Sequence, residues 1–325
     1  MRGIGIGVML LFATMARAQQ AAPNQEALPS TPLGEDAQES ARGHGSISAA
    51  YLSTYVDGFN LDSHTEVHPG IFHSQGVALD VDYNVSDDWS VHVGLPYFDN
   101  RYNGVPHCPT TAPPQCASVP ALNPQHPESA FHDDNRYHGS WQDWDLGVAW
   151  HTHISDYYLT PSLTAILPSH DYPFFTNAAV GQRLRQLQIA ATLAHQFDFS
   201  NIYYKVGYAY VLSQHVLGVD TGYQRYDLEL GYFVNEKLSL RAFLSGRDGF
   251  GLSATELGPL TAGQTNAYWY HHDQLAKHSY YGAGAGVDYA LGDRYTLSAG
   301  LQHALWGDTV FAFKYALETR LTRSF

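Results

Sequence analysis

The feature that most constrains this chain is a period of two that holds for about thirteen to fifteen residues at a time. In "GVALDVDYNV" the residues Val77, Leu79, Val81, Tyr83 and Val85 share one face, and Ala78, Asp80, Asp82 and Asn84 share the other. In "YDLELGYFV", Tyr226, Leu228, Leu230, Tyr232 and Val234 oppose Asp227, Glu229, Gly231 and Phe233. "WDLGVAW" does the same with Trp144, Leu146, Val148 and Trp150 against Asp145, Gly147 and Ala149. The last stretch puts Phe311, Phe313, Tyr315, Leu317 and Leu321 on one side and Lys314, Glu318 and Arg320 on the other. Successive side chains of a strand point to opposite faces, so this is β structure. Twelve such segments are expected, at 44–58, 74–86, 89–102, 140–154, 157–170, 183–197, 201–214, 222–235, 237–249, 278–291, 294–306 and 309–325. Ordinary strands run ~5–6 residues; a tilted membrane-crossing strand takes ~9–11, plus a rim.

The connections sort by length. "VSDD", "ISD", "DFSN", "VNEK" and "LGDR" are short, whereas those near 59–73, 103–139, 171–182, 215–221 and 250–277 are long, and the two alternate. Short turns at one end and long loops at the other describe an outer-membrane barrel. A soluble sandwich also alternates, but nothing in it sorts turns this way. The expected fold is therefore all-β: a single-chain antiparallel transmembrane barrel of about twelve strands, with short periplasmic turns and longer extracellular loops. Hydrocarbon offers the backbone no hydrogen-bond partner, so such a sheet must close on itself. The apolar set then meets lipid and the polar set a wet lumen, with Trp89, Tyr97, Trp144, Trp150 and Tyr295 at headgroup level. The chain closes on "ALETRLTRSF", and Phe325 is expected to finish the strand that pairs with the first.

Composition agrees. Tyr (23), Gly (29) and Phe (15) are abundant and charged residues are 15%, which suits strands and crowded sheet positions. "MRGIGIGVMLLFATMARAQQ" reads as a secretory signal cleaved after residue 18, its apolar run being too short to span. Residues 19–43, rich in Pro, Ala, Gln and Glu, read as a disordered periplasmic lead-in, and 44–325 as the barrel. The formal charge of −14 leaves no basic footprint for nucleic acid. Cys108 and Cys116, in the Pro-rich "HCPTTAPPQC", are expected to form a local disulfide outside the cytoplasm. No cofactor is expected.

Three sets of residues are candidates for chemistry. Asp80, Asp82, His92, Asp143, Asp145, Arg225, Glu229 and Arg241 project into the lumen, with His151, Lys205, Asp227, Lys314, Glu318 and Arg320 also inward. Asp82 should face His92 across the turn at Ser86–Asp88. Opposed charges in a narrow watered channel set selectivity; the same pairs also suffice to fill a closed lumen. Next, His64, His68 and His73 crowd "SHTEVHPGIFH" in a predicted outer loop, and imidazole with carboxylate suits transition metals. Last, "RYHGSW" places His138 and Ser140 at the parity of Trp144, hence toward lipid, with Asp171 close if the fourth and fifth strands pair across Ser155. That set resembles the plan of the outer-membrane phospholipase, although geometry and not spacing defines a triad.

The stretches "ALDVDYNVSDDWSVHVGLPYFDNRY", "DDNRYHGSWQDWDLGVAW", "LTAILPSHDY", "DLELGYFV" and "FAFKYALETRLTRSF" carry a family resemblance. From Gly45 onward the chain resembles uncharacterised outer-membrane barrels related to the proposed transporters of meta-pathway phenol degradation. Leu167-Pro168-Ser169-His170-Asp171 following Asp143-Trp144-Asp145-Leu146-Gly147 is part of that likeness. It implies a channel or transporter for a small aromatic or apolar molecule. The expected partners are outer-membrane lipid, the outer-membrane assembly machinery through the strand ending at Phe325, and the solute.

Overall fold

The computed structural model describes residues 42–62, 65–104, 133–257 and 266–325. Both cysteines, His64 and the proposed signal fall outside these residues.

Twelve antiparallel strands form one closed sheet. They are β1 (Gly45–Asn60), β2 (Gly70–Asn84), β3 (Trp89–Gly104), β4 in three runs (His138–Trp141, Trp144–Trp150, Thr152–Ile154), β5 (Tyr157–Leu167) and β6 (Gln186–Gln196). β7 (Ile202–Ser213), β8 (Tyr223–Phe233), β9 (Leu238–Gly249), β10 (Ser279–Ala290), β11 (Tyr295–Asp308) and β12 (Val310–Ser324) complete it. Each strand pairs with its neighbours in sequence, and β12 pairs with β1, so no edge is left open. The Phe325 amide donates to the Gly45 carbonyl and the Gly45 amide to that of Phe325, which extends the closing seam by one residue. Two short helices, α1 (Asn266–Tyr270) and α2 (His272–Leu275), sit in the connection between β9 and β10.

The alternation partitions the side chains as the hydrocarbon argument requires. On β2, Val77, Leu79, Val81 and Tyr83 are 40–45% exposed on the outer surface, while Ala78, Asp80 and Asp82 are at most 4% exposed inside. Aromatic rings bracket the outer apolar band. Trp89 stacks on Trp150 at the short-turn end, and Tyr97 meets Trp141 edge-on toward the long-loop end. Trp89 and Tyr97 are eight residues apart on β3, ~26 Å of strand at ~3.3 Å per residue, which after tilt suits an outer-membrane apolar band.

Two breaks in the period change the expected faces. The β1–β12 register skips Asp57 and Lys314: Tyr55 faces Tyr315, Val56 faces Phe313, and Gly58 faces Ala312. This paired bulge turns Phe313 inward, at 2% exposed, and leaves the Lys314 side chain 47% exposed. The expectation that Phe313 faces out and Lys314 in is thereby reversed. The second break is in β4, where Gln142 and Asp143 are both buried between Trp141 and Trp144, which both face out. Pro96 of β3 has no N–H to donate, but its carbonyl accepts from the Gln142 amide and bridges the gap.

Candidate functional site: a charged lumen beneath an inward loop

Toward the short-turn end, charges from seven strands meet. Arg320 Nη1 lies 3.1 Å from Asp80 Oδ2 and its Nη2 lies 2.7 Å from Glu318 Oε1, while Ser48 bonds both Arg320 and Asp80. Arg241 lies between Asp288 (3.3 Å) and Glu229 (3.7 Å). Glu229 also takes Lys205 at 3.1 Å and the Tyr203 hydroxyl at 3.1 Å. Register puts these together: Lys205 faces Glu229 across β7–β8, and Arg320 faces Ser298, which faces Asp288.

The turn between β2 and β3 brings Asp82 opposite His92, and His92 Nδ1 is 2.7 Å from Asp82 Oδ1. An added Cβ on Gly94 would lie 3.1 Å from Asp145 Oδ2 and 3.2 Å from His92 Nε2. Glycine at that position lets a second carboxylate approach the far side of the ring. His151 bonds Ser90 at 2.8 Å. Arg225 approaches Asp227 at 3.8 Å and faces Arg247, whose guanidinium lies 3.8 Å over the Tyr223 ring. Asp80, Asp82, His92, Asp143, Asp145, Arg225, Glu229 and Arg241 are thus all interior. Among the described residues eight buried carboxylates face five buried lysines and arginines.

The long-loop end is filled differently. Residues 168–185, between β5 and β6, fold into the barrel, with Tyr172, Phe174, Phe175, Ala178, Val180 and Leu184 buried. Tyr172 and Val180 pack on Ala50, Leu52, Ala78 and Phe98, while Ala178 joins Val56, Phe72, Tyr102, Tyr280 and Phe313. The Tyr172 hydroxyl donates to Asp143 and accepts from the Arg183 amide. Asn100 Nδ2 donates to the Ala179 carbonyl at 2.7 Å, and Asp133 accepts from the Asn177 side chain and the Ala178 amide. Gln182 and Gln274 tie the loop to α2 by two side-chain bonds to backbone. Arg183 closes the base, contacting Asp171 and lying 4.6 Å over Phe174. A recess of about 580 Å³ opens outside it, lined by Pro168, His170, Asp171, Arg183, Arg185 and Gln214. The length pattern of the connections places 171–182 among the long extracellular loops, whereas the segment packs into the barrel. The signal against that was "DYPFFTNAAV", too apolar a run for a segment left in water.

The hydrolase set does not assemble. The break at Gln142–Asp143 flips parity, so Ser140 and His138 share the faces of Phe98 and Asn100, which point inward, rather than the lipid face. His138 bonds Asp134 at 2.8 Å, whereas Ser140 meets His170 at 3.1 Å, and His170's other nitrogen meets Ser169. Asp171 is 90% exposed and engaged by Arg183. Of the loop histidines, His73 sits between Ser53 and Tyr137. His68 lies instead beside Asp57 and Glu66.

The architecture has solved counterparts. The chain is similar to the crystal structure of an outer membrane channel from Pseudomonas putida F1, with a TM-score of 0.64 and 13% identity over 87% of this chain and 96% of that one. The β domain of the Bordetella autotransporter BrkA (TM-score 0.47, 13% identity, 87% and 100% coverage) and the NanC porin (0.46, 9%, 85% and 98%) are more distant barrels. No family model and no curated protein matches the chain. At this identity the likeness is one of fold: a closed antiparallel barrel of the outer-membrane kind.

Proposed function

We propose that the chain is an outer-membrane channel that passes a small solute with an aromatic or apolar body, entering past aromatic rings and crossing a charged lower lumen. The carrying observation is the interior itself. Stripping water from a charge costs several kcal/mol per ion, and a purely structural barrel core is filled more cheaply by apolar side chains. Instead, cations and carboxylates from seven strands face one another inside a sheet whose outer face is apolar. The similar P. putida structure is described as a channel, which agrees with this reading. Loop 168–185 acts as the restriction, and the recess outside it as the vestibule.

Single-channel recording in planar bilayers tests it. With eight buried carboxylates against five bases, the pore should favour small cations over anions, with low conductance. Asp80→Asn and Asp82→Asn together should shift the reversal potential toward anions. Replacing residues 172–182 by a short Gly-Ser linker should raise conductance several-fold. A folded, inserted protein that stays insulating in both forms would overturn the proposal.

A further inference from the structure

At the outer end of β1 three donors from separate pieces of chain converge. Asp57 occupies the bulge, where the β1–β12 register skips it. Glu66 comes from a two-residue strand, Glu66–Val67, which folds back on β1 and sets Glu66 opposite Asn60. Its carboxylate covers Gly58, where a Cβ would lie 1.9 Å from Oε1, so the absent side chain is what admits it. His68 follows, with Nδ1 2.7 Å from the Asp57 carbonyl. A ring nitrogen at that distance from a carbonyl is the donor, which leaves the lone pair on Nε2. A backbone carbonyl fixing one imidazole nitrogen is also how metal-binding histidines are held.

One ligand atom from each of Asp57, Glu66 and His68 lies within 4.8 Å of the other two. Two carboxylates so close repel unless a cation stands between them. Lys314, from the facing bulge, supplies this only in part: its ammonium is 3.2 Å from Asp57 Oδ1, yet among the described residues that buried oxygen accepts no hydrogen bond of good geometry. We propose that Asp57, Glu66 and His68 bind one divalent transition-metal ion, of the zinc type, and that binding displaces the Lys314 ammonium. Two carboxylate oxygens and one imidazole suit such an ion, whereas calcium and magnesium take oxygen alone. The ion would pin the connection between β1 and β2 to the barrel rim.

The test titrates Zn²⁺ into the full chain in detergent by calorimetry, with folding of each variant checked by heat-modifiable gel migration. The wild type should bind one equivalent more than His68→Ala. Glu66→Gln should weaken that equivalent at least tenfold, and Lys314→Met should tighten it. Unchanged stoichiometry and affinity in both His68→Ala and Glu66→Gln would mean that zinc sits on other histidines, which overturns the site. Displacement of zinc by equimolar Ca²⁺ would overturn the transition-metal assignment. Binding that Lys314→Met leaves unchanged or weakens would overturn the displacement.

Discussion

The two ends of the barrel interior are filled by different means. Toward the short turns, the interior consists of strand side chains whose positions follow from cross-strand register: Lys205 faces Glu229, and Asp82 faces His92. Toward the long loops, it consists of rings on the strands and a segment, 168–184, that takes no part in the ladder. Moving the first set means breaking sheet hydrogen bonds. Moving the second costs the aromatic contacts and a handful of side-chain bonds, with the barrel wall left intact. A low-stability element above a rigid one is the arrangement that local opening requires.

Arg241→Ala should be the most damaging single change, because it leaves Glu229 and Asp288 facing each other without their shared base. Removing one partner of a buried pair costs about 3–5 kcal/mol, and Lys205, 3.1 Å from Glu229, offsets part of the loss. Urea unfolding in detergent should show the loss as a shifted midpoint for the whole barrel. Tyr172→Phe should behave otherwise. It removes the hydroxyl that bonds Asp143 and the Arg183 amide, a loss of about 1–3 kcal/mol. That loss should appear as faster amide exchange across 172–182 and higher conductance, at an unchanged unfolding midpoint. If Tyr172→Phe lowered the midpoint as much as Arg241→Ala, the two ends would be one cooperative unit and the contrast would fail.

Much of the rigid end could be read before any coordinates. A strict period of two names each inward residue, and a tight turn at Ser86–Asp88 is enough to set Asp82 against His92. What escaped was every place where the period breaks. One extra residue reverses all faces beyond it. Lys314 and Phe313 exchanged sides at one bulge, and Ser140 left the lipid face at another. The inward loop escaped for a different reason: its position depends on long-range packing against Phe98 and Tyr102, about which local pattern is silent.

The smallest effect expected tests a third tie at the long-loop end. His278 precedes β10, is fully buried, and joins α2 to the turn between β11 and β12: Nδ1 is 3.0 Å from the Thr309 carbonyl and Nε2 is 3.0 Å from that of Asp273. Burial, and then the nearby Arg247, push its pKa down to about 4, against the opposing pull of Asp273; Lys277 and Asp308 pair beside it. The ring is therefore neutral at pH 7 and can donate to only one of the two carbonyls. When the segment opens, the imidazole regains its ordinary value near 6.5 and takes up a proton that the closed form refuses. The closed form thus keeps its full stability above about pH 6.5 and loses it as the pH falls toward about 4. Amide exchange across 272–278, corrected for the intrinsic rate, should show easier opening at pH 5 than at pH 7, and His278→Asn should abolish the difference. Greater protection at pH 5 would mean that the ring is charged in place and bonds both carbonyls, making this tie as rigid as the ion pairs below it.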